Sequence, residues 1–187
     1  MTTSQEGQMT PEQRRQFVRE HRTAIFGYGR RDDGPAMTVL YYLMDGDDLL
    51  ISTMLARGKA KAVQRNPKVS LCVLDENWPP TYITLFCDAV IDPTVSDDLD
   101  AVVDVLVRVL ELMAGRQLDA SARDHATKMA VKEDRIVLRL KPYASFMTPP
   151  RHVRTEQDLD TLTHWTSSSL PWNAENDESV SDYGGDQ

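Results

Sequence analysis

A chain of 187 residues is long enough for one domain with a substantial hydrophobic core plus extra chain at its ends. With 41% hydrophobic and 27% charged residues, its composition is that of an ordinary globular protein and excludes collagen-like, coiled-coil and wholly disordered chains. The formal charge of -8 is local: all 21 basic residues precede Thr155, whereas eight of the 29 carboxylates follow Arg154. The body is therefore neutral, and without an extended Lys/Arg run to neutralise phosphates it argues against nucleic-acid binding.

The two cysteines, Cys72 and Cys87, sit inside apolar stretches, and a chain of this size has no need of disulfide staples, so both read as reduced core thiols. The N-terminus has neither a basic start nor an apolar run, and no window approaches the ~20 apolar residues of a membrane span. A cytoplasmic protein without membrane contact is expected.

Thr10-Pro11-Glu12-Gln13 carries the marks of a helix start: a capping threonine, a proline at the first helical position and a glutamine placed for a capping box. A short helix to about His21 follows. Residues 23–28 are β-branched and aromatic and end in the polar turn Arg31-Asp32-Asp33-Gly34-Pro35, which predicts a strand, a turn and a partner strand over 36–43. Asp45-Gly46-Asp47-Asp48 makes a second tight turn before a strand over 49–53, so an antiparallel three-strand meander is expected.

Residues 58–66 read as a short helix stopped by Pro67, and strands are predicted over 69–74 and 82–91, joined by a Trp78-Pro79-Pro80 loop. Ser96-Asp97-Asp98 caps a long helix whose Leu99, Val102, Val103, Leu106, Val109, Leu110 and Met113 share one face, with Gly115 to end it. A second helix near 121–131 precedes an alternating final strand over 135–140, closed by Lys141-Pro142. The domain organisation expected is a short disordered N-terminus over 1–9, one folded body over 10–154 and an acidic, disordered tail over 155–187. Six short antiparallel strands with helices inserted late give a mainly β, α+β class: a closed or nearly closed six-stranded barrel decorated by helices.

The segment most rich in chemistry runs from Leu50 to Pro67. A strand delivers two hydroxyls at its end, and Arg57, Lys59 and Lys61 then cluster around a helix start, where free backbone N–H groups already favour an anion. This is a plausible phosphate cradle, although by local pattern alone a solvated basic face is the simpler reading.

A wider order of motifs bears on that choice: Gly34-Pro35-Ala36-Met37-Thr38-Val39-Leu40-Tyr41-Tyr42, a strand ending Ser52-Thr53, Arg57-x-Lys59, Asn66-Pro67-Lys68-Val69-Ser70-Leu71, the strand from Tyr82 and the strand from Arg135 to Pro142. Over residues 10–150 this order resembles the split-barrel flavin/deazaflavin oxidoreductases, the pyridoxamine 5'-phosphate oxidase-like proteins, and within them the deazaflavin-using branch. The resemblance implies an antiparallel six-stranded split β-barrel of the FMN-binding type. It implies that Lys59, seven residues before Asn66-Pro67, contacts a cofactor phosphate, with Arg57 beside it. It also implies that Ser52, Thr53 and Met54 line the phosphate and ribityl chain, and that the backbone of Met37, Thr38 and Val39 runs along the ring system. Lys61 joins this set on the physical argument alone.

Two departures from the family pattern stand out. Cys87 occupies a position where a glycine is common, and the arginine-rich ending of true pyridoxamine 5'-phosphate oxidases is replaced by Met147-Thr148-Pro149-Pro150-Arg151, which argues against vitamin B6 synthesis. Trp78 with Tyr82 can be read as a roof over a ring-shaped substrate or as packing. His21, His125, His152 and His164 show no metal spacing and no catalytic arrangement, so no metal is expected. Tyr41 and Tyr42 point to opposite faces of a strand, so at most one reaches a ligand.

The function expected is an oxidoreductase that holds a flavin-type cofactor at a homodimer interface and passes hydride to a conjugated small-molecule acceptor, with no proton donor assignable. Coenzyme F-420 is favoured over FMN, because Arg57, Lys59, Lys61, Arg65 and Lys68 extend beyond one phosphate toward a polyanionic tail. A non-catalytic binder of cofactor or haem on the same barrel, and an interaction protein acting through its acidic tail, are the alternatives. In a catalytic body, removal of 155–187 would leave cofactor binding almost unchanged.

Overall fold

The computed structural model describes residues 8–75, 77, 81–148, 155–156 and 167–173. Its first element, α1 (Pro11–Glu20), starts with the anticipated capping box, in which Thr10 and Gln13 satisfy each other's backbone N–H groups. The strands follow as β1 (Thr23–Tyr28), β2 (Ala36–Tyr41), β3 (Leu43–Asp45) and β4 (Asp48–Met54). Next come α2 (Gly58–Arg65), β5 (Lys68–Asp75), β6 (Thr81–Ile91), α3 (Pro93–Ser96), α4 (Leu99–Ala114), α5 (Ser121–Glu133), β7 (Arg135–Met147) and β8 (Ser168–Pro171).

All strand pairs are antiparallel, in the order β2-β1-β5-β6-β7-β4-β3, with β8 added to β7. The two ends of this order, β2 and β3, are consecutive in sequence and separated only by Tyr42. A sheet whose opposite ends are joined by one residue has to curl, and the result is the expected split-barrel α+β architecture. The meander is corrected in detail: β2 pairs with β1 and β3 with β4, but β2 and β4 do not pair, because the chain passes from one end of the sheet to the other at Tyr42.

Tyr42 is 1% exposed. Its N–H donates to Arg22 O at 3.3 Å and its hydroxyl to Val18 O at 2.7 Å, so the closure is tied to α1. Around it the barrel interior collects Phe26, Leu49, Ile51, Leu71, Ile83, Leu85, Leu138 and Leu140. Residues of opposite parity on the same strands, Leu50 and Val137, face outward and form a second core with Val102, Val103, Val105 and Leu106 of α4 and Ala126 and Ala130 of α5. The alternation of β4 and β7 thus serves two cores, with each fully buried aliphatic side chain contributing ~1.5–3 kcal/mol.

The sheet has eight strands among the described residues where six were expected, for two reasons, and one strand is longer than expected. Tyr42 divides β2 from β3. The last long strand does not stop at Lys141-Pro142: Pro142 pairs with Cys87 and Ala144 with Phe86, so Tyr143 is the extra residue of a bulge beside the missing proline N–H. The strand then resumes to Met147. Cys87, where a close backbone approach was in question, buries its thiol completely; the tight contact lies instead at Gly27, where a Cβ would sit 2.7 Å from Ser70 Oγ.

The second addition to the strand count corrects the expected tail boundary for residues 168–173. Ser168–Pro171 forms β8, and Trp172 is 1% exposed, its indole donating to Asp47 O at 3.0 Å. Arg14, wholly buried on α1, donates to Ser145 O and Oγ and to the carbonyl and hydroxyl of Ser168, while Arg15 donates to Trp172 O. All described partners of Arg14 are neutral, and burial pushes its guanidinium down to about 10. No helix among the described residues is long and apolar enough to cross a membrane.

Because Trp172 fills the core from outside the 10–154 body, Trp172→Ala is expected to lower stability by about 3–5 kcal/mol. A urea midpoint unchanged from wild type would show that β8 is dispensable.

Candidate functional site

The helix α2 begins at Gly58 with Arg57 at its N-cap. No side chain caps this end and no acidic residue occupies its first turn, so its leading N–H groups keep their affinity for an anion. The turn that brings the chain there is short: Arg57 N donates to Met54 O at 3.1 Å, and Leu55 N to Asp134 O at 3.0 Å. Ala60 and Val63 bury the other side of the helix in the barrel, which fixes the direction of its start.

This start opens onto a cavity of about 390 Å³, lined by Tyr28, Thr38, Ser52, Thr53, Met54, Arg57, Gly58, Lys59 and Arg135. Three cations and four hydroxyls converge there, and no carboxylate is among the lining residues. Thr38 Oγ1 is a buried polar atom without a hydrogen-bond partner among the described residues, which native interiors rarely tolerate. An acceptor-rich group in the cavity would satisfy it. The donor set therefore fits a phosphate ester, the test that a flavin-type cofactor has to meet.

Burial, and next the charge of Arg57, push the Lys59 ammonium below the usual lysine range. Arg57 Nε lies 3.3 Å from Met54 Sδ, and Arg135 Nη1 donates to Ser52 Oγ at 3.3 Å. Six of the residues singled out from sequence, Thr38, Ser52, Thr53, Met54, Arg57 and Lys59, share this one wall. Met37 and Val39 do not: their side chains stand 72% and 73% exposed on the outer face of β2. Their backbone nonetheless runs with Thr38 along a strand edge that no described strand pairs.

Lys61 is exposed and does not line the cavity. Of the other cations in that segment, Arg65 donates to Lys61 O and Gly29 O, and Lys68 is paired with Asp88 at 2.8 Å and lies 4.4 Å from the Tyr143 ring centroid. His21 Nδ1 contacts Phe17 O just past the end of α1 and His125 Nδ1 contacts Ser121 O within α5, and neither lines the cavity. Trp78, Pro79, Pro80, His152 and His164 lie outside the described residues.

Sequence reasoning missed Tyr28, Gly58 and Arg135. Tyr28 was legible in part, since it shares strand parity with the buried Ala24 and Phe26. Gly58 lies between two residues already chosen, and a Cβ there would come 3.4 Å from the Tyr28 hydroxyl, so the glycine keeps the helix start close to the phenol. Arg135 reaches the site only through the pairing of Met54 with Arg135, which no local pattern specifies. A second groove of about 370 Å³ on the outer face, lined by Gly27, Met37, Ser70, Phe86 and Tyr143 among others, shares Tyr28 with the first.

Residues 10–148 match the pyridoxamine 5'-phosphate oxidase family, and the chain belongs to it. Among solved structures it is similar to the conserved hypothetical protein Rv2991 of Mycobacterium tuberculosis, with a TM-score of 0.62 and 20% identity over 82% of this chain and 97% of that one. It is also similar to a haem-binding protein of Mycobacterium smegmatis, with a TM-score of 0.53 and 11% identity over 86% of this chain and 58% of that one. A structure named F420 Reductase aligns at a TM-score of 0.46 and 20% identity over 70% of this chain and 93% of that one. No curated protein matches the sequence.

Only the protonated Lys59 attracts an anion, and its proton is lost earlier than that of an ordinary lysine. Affinity for phosphate is therefore expected to fall on the alkaline side through the lowered Lys59 pKa, and this step should vanish in Lys59→Ala. A wild-type titration flat across that range would remove Lys59 from the anion site.

Proposed function

We propose that the protein is an oxidoreductase that binds a flavin-type cofactor, coenzyme F-420 before FMN, by its phosphate group at the start of α2. The observation that carries the reading is the cavity itself, which Arg57, Lys59 and Arg135 line together with Thr38, whose hydroxyl has no partner among the described residues, at an uncapped helix N-terminus. Membership of the pyridoxamine 5'-phosphate oxidase family supports it. When bound, the cofactor supplies the hydride chemistry.

The chain's own contribution is to bind and orient. Arg57 and Lys59 neutralise the phosphate, the hydroxyls of Ser52, Thr53 and Thr38 hydrogen-bond to it, and the free edge of β2 offers alternating N–H and C=O groups to a heterocycle. Exposed Lys61, one turn from the cavity mouth, favours F-420, whose glutamate tail carries additional negative charge. The acceptor is a conjugated small molecule that meets the ring from the solvent side.

The outer sheet face, where Met37 and Val39 stand exposed and Ile25, Cys72 and Phe86 are half-buried, is the surface on which a second copy of the chain would sit. Such a homodimer would cover the apolar face and give the cofactor ring a second wall. In sedimentation, Val39→Asp is expected to shift a dimer to a monomer; an unchanged sedimentation coefficient would place the contact elsewhere.

Titration of the purified protein with F-420 and with FMN, followed by fluorescence, tests the cofactor reading. Tight binding of F-420, weakened by ~1.5–3 kcal/mol in Lys59→Ala, is the expected outcome. Failure of a folded wild-type protein to bind either cofactor would overturn it.

A further inference from the structure

The third cation of the cavity is not free. Arg135 opens β7, directly after the left-handed Asp134 at φ 48 that ends α5 and turns the chain sharply. Across this turn Glu133 meets Arg135, with Arg135 Nε donating to Glu133 Oε2 at 2.8 Å and Nη2 at 2.7 Å. One face of the guanidinium is thus held by a carboxylate, and its remaining nitrogen, Nη1, points to Ser52 Oγ in the cavity. Both side chains are partly shielded, Arg135 at 18% and Glu133 at 30% exposure, so the pair acts at reduced dielectric.

We infer that the Glu133–Arg135 pair tempers the charge preference of the cavity, narrowing the advantage that Arg57 and Lys59 give a doubly charged phosphomonoester over a singly charged phosphodiester. The inference rests on the anion-binding reading of the cavity given above. Among the described residues Arg57 and Lys59 have no carboxylate partner and bring two charges, while Arg135, held through two nitrogens on one Glu133 oxygen, brings a hydrogen-bond donor whose charge is offset by that carboxylate. The Glu133 carboxylate stands just behind that donor and repels any anion placed on Nη1. Coulomb energy is linear in charge, so whatever factor the carboxylate costs a monoanion, it costs a dianion roughly the square. The phosphate of F-420 is a diester, and that of FMN is a monoester, mostly dianionic above its second pKa of about 6.

The test uses the full chain and its Glu133→Gln and Arg135→Gln variants at pH 7.5. The probes are dimethyl phosphate, a diester, and methyl phosphate, a monoester, followed by the backbone amide shifts of Gly58, Lys59 and Ala60; F-420 and FMN are then titrated in parallel. Glu133→Gln keeps an oxygen to accept from the guanidinium but removes the charge. It is expected to tighten every phosphate, the monoester several-fold more than the diester. Arg135→Gln is expected to weaken both classes, and Arg135→Lys to restore part of the loss without the preference.

A Glu133→Gln protein whose monoester-to-diester preference stays within about twofold of wild type, a factor worth ~0.4 kcal/mol, would overturn the inference. Loss of binding in Lys59→Ala would at the same time leave the phosphate site standing. If Glu133→Gln shifts the small-anion preference toward the monoester and neither cofactor binds, the cofactor reading fails and this one holds. If no amide responds to either anion, both fail.

Discussion

Everything in this fold depends on one residue's worth of chain. Tyr42 is the single link between strands at opposite ends of an otherwise continuous ladder, and the sheet cannot lie flat without breaking it. The protein meets the constraint by burying the link: the Tyr42 hydroxyl donates into the last turns of α1, its amide donates to the chain just beyond that helix, and its ring is sealed by the barrel core. Burial drives the phenol's pKa well above the usual tyrosine range, so the hydroxyl remains a donor at every physiological pH.

Closure at Tyr42 also shapes the cavity at the start of α2. It brings β2 round so that Thr38 shares one cavity with Tyr28 at the end of β1, with the end of β4 and with the start of α2. The cavity walls come from β1, β2, β4, α2 and β7, five elements spread over more than a hundred residues of sequence. A second assembly does comparable work on the other side of β4. There Arg139 is gripped by Asp92 at 2.6 Å, Asp45 at 2.8 Å and Asp48 at 3.2 Å, joining β7 to the β3–β4 turn and to the cap of α3. Those carboxylates hold Arg139 charged and, with it, the register of β4 against β7 on which Ser52 and Arg135 depend.

The sequence was legible where structure is local. Capping residues marked α1 and α4, and Gly115 sits in the left-handed conformation at φ 66 that a terminating glycine was expected to adopt. Strand existence followed from alternation, and the residues around the start of α2 were found because a hydroxyl pair and three cations occur within ten positions. What was hidden is what depends on pairing between distant segments: the jump at Tyr42, the bulge at Tyr143 that lets β7 run past Pro142, and the arrival of Arg135 beside Ser52. The segment Ser168–Pro171 was hidden for a further reason. Its serines look like linker, and it is the pairing with β7, with the two neutral oxygens that Ser168 offers to the buried Arg14, that makes the segment part of the fold.

That arrangement couples the order of synthesis to the order of folding. Arg14 is made early and Ser168 almost at the end of the described chain, yet one guanidinium needs the other's oxygens before it can be dehydrated without loss. Until then the C-terminal half of β7 presents an unpaired edge and α1 has no complete seat, the two features that invite a growing chain to pair with a neighbour's strand. The barrel is thus finished from outside its own middle, by a latch that engages only after nearly all of the described strands exist. A cell that produces this protein is expected to need the chain kept apart from its copies for as long as the ribosome takes to reach Trp172.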